Sequence, residues 1–180
     1  METNLCVAGF GGQGVMTLGK FLADATCNST DKNVTFFPSY GAEQRGGTAN
    51  CFVVISDEAI GAPLGDVMDD LIVMNGPSLK KFIGTLKSGG TLFINSSIID
   101  RKAERDDIQV VYCDANGIAE SVGNPKGANV AILGALMEKA PVVSNEILGE
   151  AIRIELGEKK AKFLEGNMKA LEAGEAAARG

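Results

Sequence analysis

The chain has no histidine and no tryptophan among its 180 residues. Without imidazole it lacks a proton shuttle near neutral pH, any Ser-His or Cys-His nucleophile pair, and the commonest nitrogen ligand for transition metals. Its four cysteines, Cys6, Cys27, Cys51 and Cys113, form no C-x-x-C pair. That spacing argues against an iron–sulfur cluster or a zinc knuckle in this chain. Basic charge is scarce as well: 17 Lys and Arg stand against 23 Asp and Glu, for a net charge of −6. The two basic clusters, Lys80-Lys81 and Lys159-Lys160-Ala161-Lys162, fall in helical stretches with acids nearby and read as solvated faces. A nucleic-acid partner would need a basic stripe, and none is visible. No apolar run is long enough to cross a bilayer, and the opening Met1-Glu2-Thr3-Asn4 lacks the basic start of a secretory signal. A cytoplasmic chain poorly equipped for independent catalysis is the expectation, with no nucleic acid, membrane or metal of its own.

What is present is an alternation of short apolar runs and helical periodicity. Asn4 to Phe10 reads as a buried strand ending in glycines, and Val15, Leu18, Phe21, Leu22 and Ala25 then recur at helical spacing, predicting a helix over 12–27. Val34 to Phe37 predicts a second strand stopped by Pro38, and Thr48 to Ser56 a longer one with a partly wet second face. Leu71 to Met74, Thr91 to Ile94 and Ile108 to Tyr112 read as further strands. Helices are predicted over 77–83, 115–122 and 126–139, with another capped by Ser144. Residues 158–180 read as a charged, Ala-rich helical tail, frayed or docked elsewhere.

Strands and helices alternating at these lengths imply a three-layer α/β/α sandwich with a mainly parallel, mixed sheet and a Rossmann-like first βα turn. The stretch 36–56 breaks the alternation and predicts an antiparallel member. No domain boundary or internal repeat interrupts 1–180, so one domain is expected.

Two segments carry chemical interest. Gly9-Phe10-Gly11-Gly12-Gln13-Gly14 fits G-x-G-x-x-G between a strand and a helix, where glycines let a ligand approach the backbone and the helix start favours an anion. The dinucleotide reading wants an acid at the end of the second strand. That strand ends Phe36-Phe37-Pro38-Ser39-Tyr40, with none. Gly14 to Lys20 superficially matches a P-loop, but Phe21 stands where magnesium would need a hydroxyl. A tight turn that binds nothing stays open. The second segment is Tyr40-Gly41-Ala42-Glu43-Gln44-Arg45-Gly46-Gly47. Arg45 between glycines could offer its planar fork to a phosphate or carboxylate, or Glu43 and Arg45 could simply decorate an exposed hairpin.

These segments in order resemble the γ subunits of 2-oxoacid:ferredoxin oxidoreductases. The likeness rests on Gly9 to Gly14, on Tyr40 to Gly47 leading into Cys51 to Asp57, on the Gly89 to Asn95 strand and on the Asn129 to Leu136 helix, and it covers about residues 4–155. It implies an assembly that converts a 2-oxoacid and coenzyme A to acyl-CoA and CO2 and passes the electrons to ferredoxin. Thiamine diphosphate, its magnesium and the iron–sulfur clusters would lie on partner α, β and δ subunits, the last ferredoxin-like. For this chain the resemblance implies a share in the CoA site. Gly9, Gly11, Gly12, Gln13 and Gly14 are then the candidates for the ligand, and Tyr40, Glu43, Arg45, Gly46 and Gly47 for an interface or ligand loop. The form Gly9-Phe10-Gly11-Gly12-Gln13-Gly14 points to the 2-oxoglutarate or branched-chain branch. A stand-alone nucleotide- or flavin-binding oxidoreductase and a purely structural interaction module are the rival readings.

Overall fold

Strand β1 (Glu2–Phe10) is the axis of a six-stranded sheet. Its alternate residues go to opposite faces, and both faces are covered: Leu5 and Val7 join one apolar cluster, Cys6 and Ala8 the other. The computed structural model describes residues 1–41 and 47–179. The other strands are β2 (Asn33–Tyr40), β3 (Thr48–Ser56), β4 (Met68–Val73), β5 (Leu86–Asn95) and β6 (Gln109–Cys113), in the order β2-β3-β1-β4-β5-β6. β1, β4, β5 and β6 run parallel, while β3 is antiparallel to both β1 and β2. This is the mixed α/β sheet expected, with its antiparallel member in the predicted stretch.

The helices are α1 (Val15–Ser29), α2 (Gly76–Phe82), α3 (Ala115–Ser121), α4 (Ala128–Lys139), α5 (Asn145–Lys160) and α6 (Leu164–Arg179). The two layers are unequal. One face carries α1 and α3 to α6, around Leu18, Leu22, Ile132, Leu133, Leu148 and Leu171. The other is closed by α2 through Leu79 and Phe82, with Ile99 and Ile108 beside them.

Several boundaries differ from the sequence expectation. β2 continues through Pro38 to Tyr40, because it is an edge strand with β3 as its one neighbour. At an edge, a missing N–H need not cost a ladder bond. The second face of β3 is not wet: Asn50, Val54 and Ser56 are buried, and Phe52 meets Phe82 edge-to-face with ring centroids 6.4 Å apart. β5 begins at Leu86, before the glycines at 89 and 90, which sit where its register against β4 shifts. Glycine at such a bulge relieves the backbone. α1 starts at Val15, three residues later than predicted, since Gly12 and Gly14 hold left-handed conformations.

The tail is docked. Ala170 and Leu171 are fully buried in α6, and α6 lies against α4 with Gly174 on the carbonyl of Ala131 and Gly134 on the carbonyl of Leu171. A side chain at either position would strike backbone. The two glycines therefore set the close approach of these helices, as small residues do elsewhere.

Candidate functional site

The carboxyl ends of β1 and β4 part where the chain leaves them in opposite directions. α1 lies on one face of the sheet and α2 on the other. Such a switch point opens a crevice beyond the strand ends. Here it is a cleft of about 910 Å³, within the usual range for a small-molecule site. Its walls come from the glycine turn, the first turn of α4, the α3–α4 connection and the end of α5.

The glycine turn is built tightly. Gly14 sits at φ 74°, and a Cβ there would lie 2.5 Å from Asn129 Nδ2. Asn129 Nδ2 in turn donates to the Gly14 carbonyl at 3.3 Å, tying the starts of α1 and α4 together. The Gln13 side chain is engaged through both its oxygen and its nitrogen. Its Oε1 accepts from Phe10 N at 2.7 Å and from Asn75 Nδ2 at 3.1 Å, and its Nε2 donates to the Met74 carbonyl at 3.0 Å. Gln13 thus stitches the β1–α1 turn to the β4–α2 connection, while Asn75 Oδ1 caps α2 by accepting from Ser78 N at 2.9 Å.

Two helices begin at the cleft, and neither has a side-chain cap. Gly14 precedes α1 and Gly127 precedes α4, whereas α2, α3 and α5 are capped by Asn75, Asp114 and Ser144. Uncapped first-turn N–H groups and the positive end of the helix dipole favour an anion at that end. Lys126 and Lys160 also line the cleft, and Phe21, Met74, Val130 and Phe163 supply apolar wall. A phosphorylated ligand with an extended organic part suits this mixture.

Of the residues singled out from the sequence, Gly12, Gln13 and Gly14 line the cleft. Gly9 is packed beneath it, against Gln13, Val15 and Met74. Gly11 N donates to the Gly47 carbonyl at 3.0 Å, so the turn and the far end of the second segment are brought together. Gly41 N donates to the Thr48 carbonyl at 2.8 Å at the base of that segment. Tyr40 is 73% exposed and faces a smaller recess of 270 Å³ with Lys20, Phe36 and Glu155. Glu43, Arg45 and Gly46 lie outside the described residues.

The thiols of Cys51 and Cys113 are pushed up to about 12 by burial, and that of Cys6 is raised further for the same reason. They stay protonated near neutral pH and are unsuited to cluster ligation or attack. Among the described residues no three His, Cys, Asp or Glu side chains stand together as a metal site.

A family model described as pyruvate ferredoxin/flavodoxin oxidoreductase matches residues 4–177. The chain belongs to this family. It is 38% identical over 174 residues to ketoisovalerate oxidoreductase subunit VorA of Methanothermobacter marburgensis, covering 96% of this chain and 36% of that protein. The chain thus spans about a third of the length of that relative. It is 35% identical over 159 residues to 2-oxoglutarate synthase subunit KorC of the same organism, covering 85% of this chain and 86% of that one. The keto/oxoacid ferredoxin oxidoreductase γ subunit of Geobacter sulfurreducens superposes with a TM-score of 0.87 at 28% identity, over 99% of this chain and 97% of that one. A 2-oxoglutarate:ferredoxin oxidoreductase from Magnetococcus marinus, solved with 2-oxoglutarate, coenzyme A and succinyl-CoA bound, superposes with a TM-score of 0.89 at 26% identity. It matches 99% of this chain and 31% of that one. This is a γ-type chain of the 2-oxoacid:ferredoxin oxidoreductases.

Sequence reasoning missed much of the γ-type chain's cleft. Lys126 sits in Gly123-Asn124-Pro125-Lys126-Gly127, a punctuated turn whose glycines and proline were a legible signal. Lys160 was read as part of a solvated face, and it is exposed, but it also borders the cleft. Asn129, in the first turn of α4, also lines the cleft while its amide holds the Gly14 carbonyl.

Proposed function

We propose that this chain works as the γ component of a 2-oxoacid:ferredoxin oxidoreductase in the cytoplasm, and that the cleft beside its glycine turn receives coenzyme A. The complex would oxidatively decarboxylate a 2-oxoacid with CoA to acyl-CoA and CO2. The observation that carries the reading is the convergence of two uncapped helix starts and two lysines on one 910 Å³ cleft with apolar walls. Free donors and cations suit the ligand's phosphates, and the apolar wall suits its pantetheine arm. The Magnetococcus marinus structure that shares this fold was solved with coenzyme A bound, which supports the assignment.

In this reading Gly11, Gly12, Gln13 and Gly14 form the floor of the CoA site. Gln13 acts indirectly, by holding the turn. Gly47 is bonded to Gly11 of that floor, and Glu43, Arg45, Gly46 and Gly47 with Tyr40 form the edge that meets the thiamine-bearing partner. Thiamine diphosphate, magnesium and iron–sulfur clusters belong to the α, β and δ partners, and ferredoxin takes the electrons. The chain's own residues bind and orient one substrate. The substrate acid is 2-oxoglutarate or a branched-chain 2-oxoacid, in keeping with the names of the relatives.

The test is to tag the chain in its host, isolate it anaerobically at mild salt, and assay CoA-dependent viologen reduction with a panel of 2-oxoacids. Larger thiamine- and cluster-bearing chains should co-purify, with activity on one acid. In that complex Arg45→Ala should raise the KM for CoA or block assembly. A single chain that purifies alone, or with a flavin or nicotinamide nucleotide bound, would overturn the proposal.

A further inference from the structure

The C-terminal return of the chain is a wall of the cleft to which nothing so far gives a role. Helix α5 is broken at Gly157, whose backbone stands at φ 61° and ψ −179°. That region is open to glycine alone, so the helix can break here without backbone strain. Leu156 just before the break, and Lys160 and Phe163 just after it, all line the cleft. After Phe163 the chain enters α6, which is pinned by its buried Ala170 and Leu171. The return from 157 to 163 is therefore held at both ends.

Lys126 arrives from a different element, the α3–α4 connection, and that connection is also fixed. Asn124 Nδ2 donates to Asn167 Oδ1 of α6 at 3.0 Å, and Gly127 N donates to the Asn124 carbonyl at 2.8 Å. Lys20, Lys87 and Lys169 each have a carboxylate partner. Among the described residues Lys126 and Lys160 have none within the 4.0 Å that defines an ion pair. Two cations on separately braced segments, beside an aromatic ring and one cleft, form a receptor for a polyanion that ends in a flat base.

We propose that Lys126 and Lys160 recognise the phosphorylated nucleotide end of coenzyme A, with Phe163 against its adenine, and that the break at Gly157 exists to place this wall. The inference rests on the CoA reading above and assigns the specificity of that site to residues on the C-terminal return. Cations here neutralise the ligand's phosphates on binding and take no part in the chemistry, so they act on KM and leave kcat alone.

The experiment uses the assembled complex with Lys126→Met, Lys160→Met and Lys159→Met, measuring kcat and KM for CoA and for dephospho-CoA. Lys126→Met and Lys160→Met should each raise the KM for CoA about 5- to 20-fold, the effect of one charge-assisted hydrogen bond at a half-exposed site. Their kcat and melting temperature should match wild type. The KM for dephospho-CoA should rise less, and Lys160→Arg should restore the value to within about threefold. Lys159→Met, next door but outside the cleft, should behave as wild type. A wild-type complex with an ordinary KM, and lysine variants within twofold of it, would overturn this inference alone. A wild-type complex indifferent to CoA would overturn the functional reading and this inference together.

Discussion

Gly14→Ala is the most informative single change at the cleft, because two separate physical costs meet at one Cβ. Gly14 lies at φ 74°, where an L-residue loses roughly 1–2 kcal/mol to the clash of its Cβ with its own carbonyl. The added carbon would also lie 2.5, 2.6 and 2.9 Å from Nδ2, Cγ and Cβ of Asn129. Moving the buried start of α4 to relieve that contact costs about 1–3 kcal/mol. It also breaks the 3.3 Å bond from Asn129 Nδ2 to the Gly14 carbonyl, worth about 1 kcal/mol. The sum is about 3–6 kcal/mol, or a melting temperature lower by roughly 6–24 °C for a chain of this size. Asn129→Ala alone should cost about 1–2 kcal/mol. The double variant should cost less than the sum, since removing the amide relieves its two closest contacts and leaves the backbone strain and the 2.9 Å approach to Cβ of residue 129. A coupling of about 1–3 kcal/mol is expected from urea unfolding followed by circular dichroism. Additivity within about 0.5 kcal/mol, or a Gly14→Ala cost below about 1 kcal/mol, would refute the close packing of the glycine turn on α4.

Two further predictions concern the frame around the site. Burial raises the Asp70 carboxyl to about 6, ahead of the opposing hydrogen bond from Thr91 and the like charge of Asp69. The fold therefore favours the protonated acid, and that contribution to stability is present below about pH 4 and lost as pH rises through about 6. Asp70→Asn should gain about 2–3 kcal/mol on wild type at pH 7.5 and almost nothing near pH 4. An equal difference at both pH values in urea titrations would refute the assignment. Gly174→Leu should drive α6 off α4, because the new side chain meets the Ala131 carbonyl, and cost at least about 3 kcal/mol. Hydrogen exchange should then show α6 opening before the sheet, and unchanged α6 protection would contradict the docking.

Most of the sheet was legible in the sequence because its strands are short, apolar and bounded by glycine, so that β1, β3, β4 and β6 announce themselves. What failed was context. Pro38 reads as a stop, and only the strand order shows that β2 is an edge, where proline is tolerated. Asn50 and Ser56 look like a wet face until they are seen to be buried, on the side of β3 where Phe52 meets Phe82 of α2. The glycine turn was legible as a motif, but the use of Gln13 was not. Nothing local tells whether an amide will face a ligand or reach across to Met74, 61 positions away. Lys126 and Lys160 were hidden for a related reason, since they meet at one cleft only after α6 has packed on α4.

The cleft, the turn and the tail belong to one construction. β1 sends the chain towards β2 and β3, while β4 sends it towards β5 and β6, so the two connections diverge and leave a gap that nothing in the sheet can fill. Gln13 ties those connections below the gap through Phe10, Met74 and Asn75, and Asn129 ties α1 to α4 across it. Both ties use side-chain amides, which hold the backbone in place without adding charge. That leaves the helix starts and the lysines as the electrostatic features of the crevice, and they favour an anion. A binding floor fixed by neutral amides and closed by cations from the C-terminal return suits a component that presents a phosphorylated substrate to chemistry held by others. Had a carboxylate stood at position 13 or 129, the same scaffold would have repelled that substrate. Gln13→Glu should accordingly weaken CoA binding through charge even where the fold survives, seen as a ratio of variant to wild-type KM that grows as ionic strength is lowered. A ratio that does not change with salt would show that the ligand's phosphates lie elsewhere.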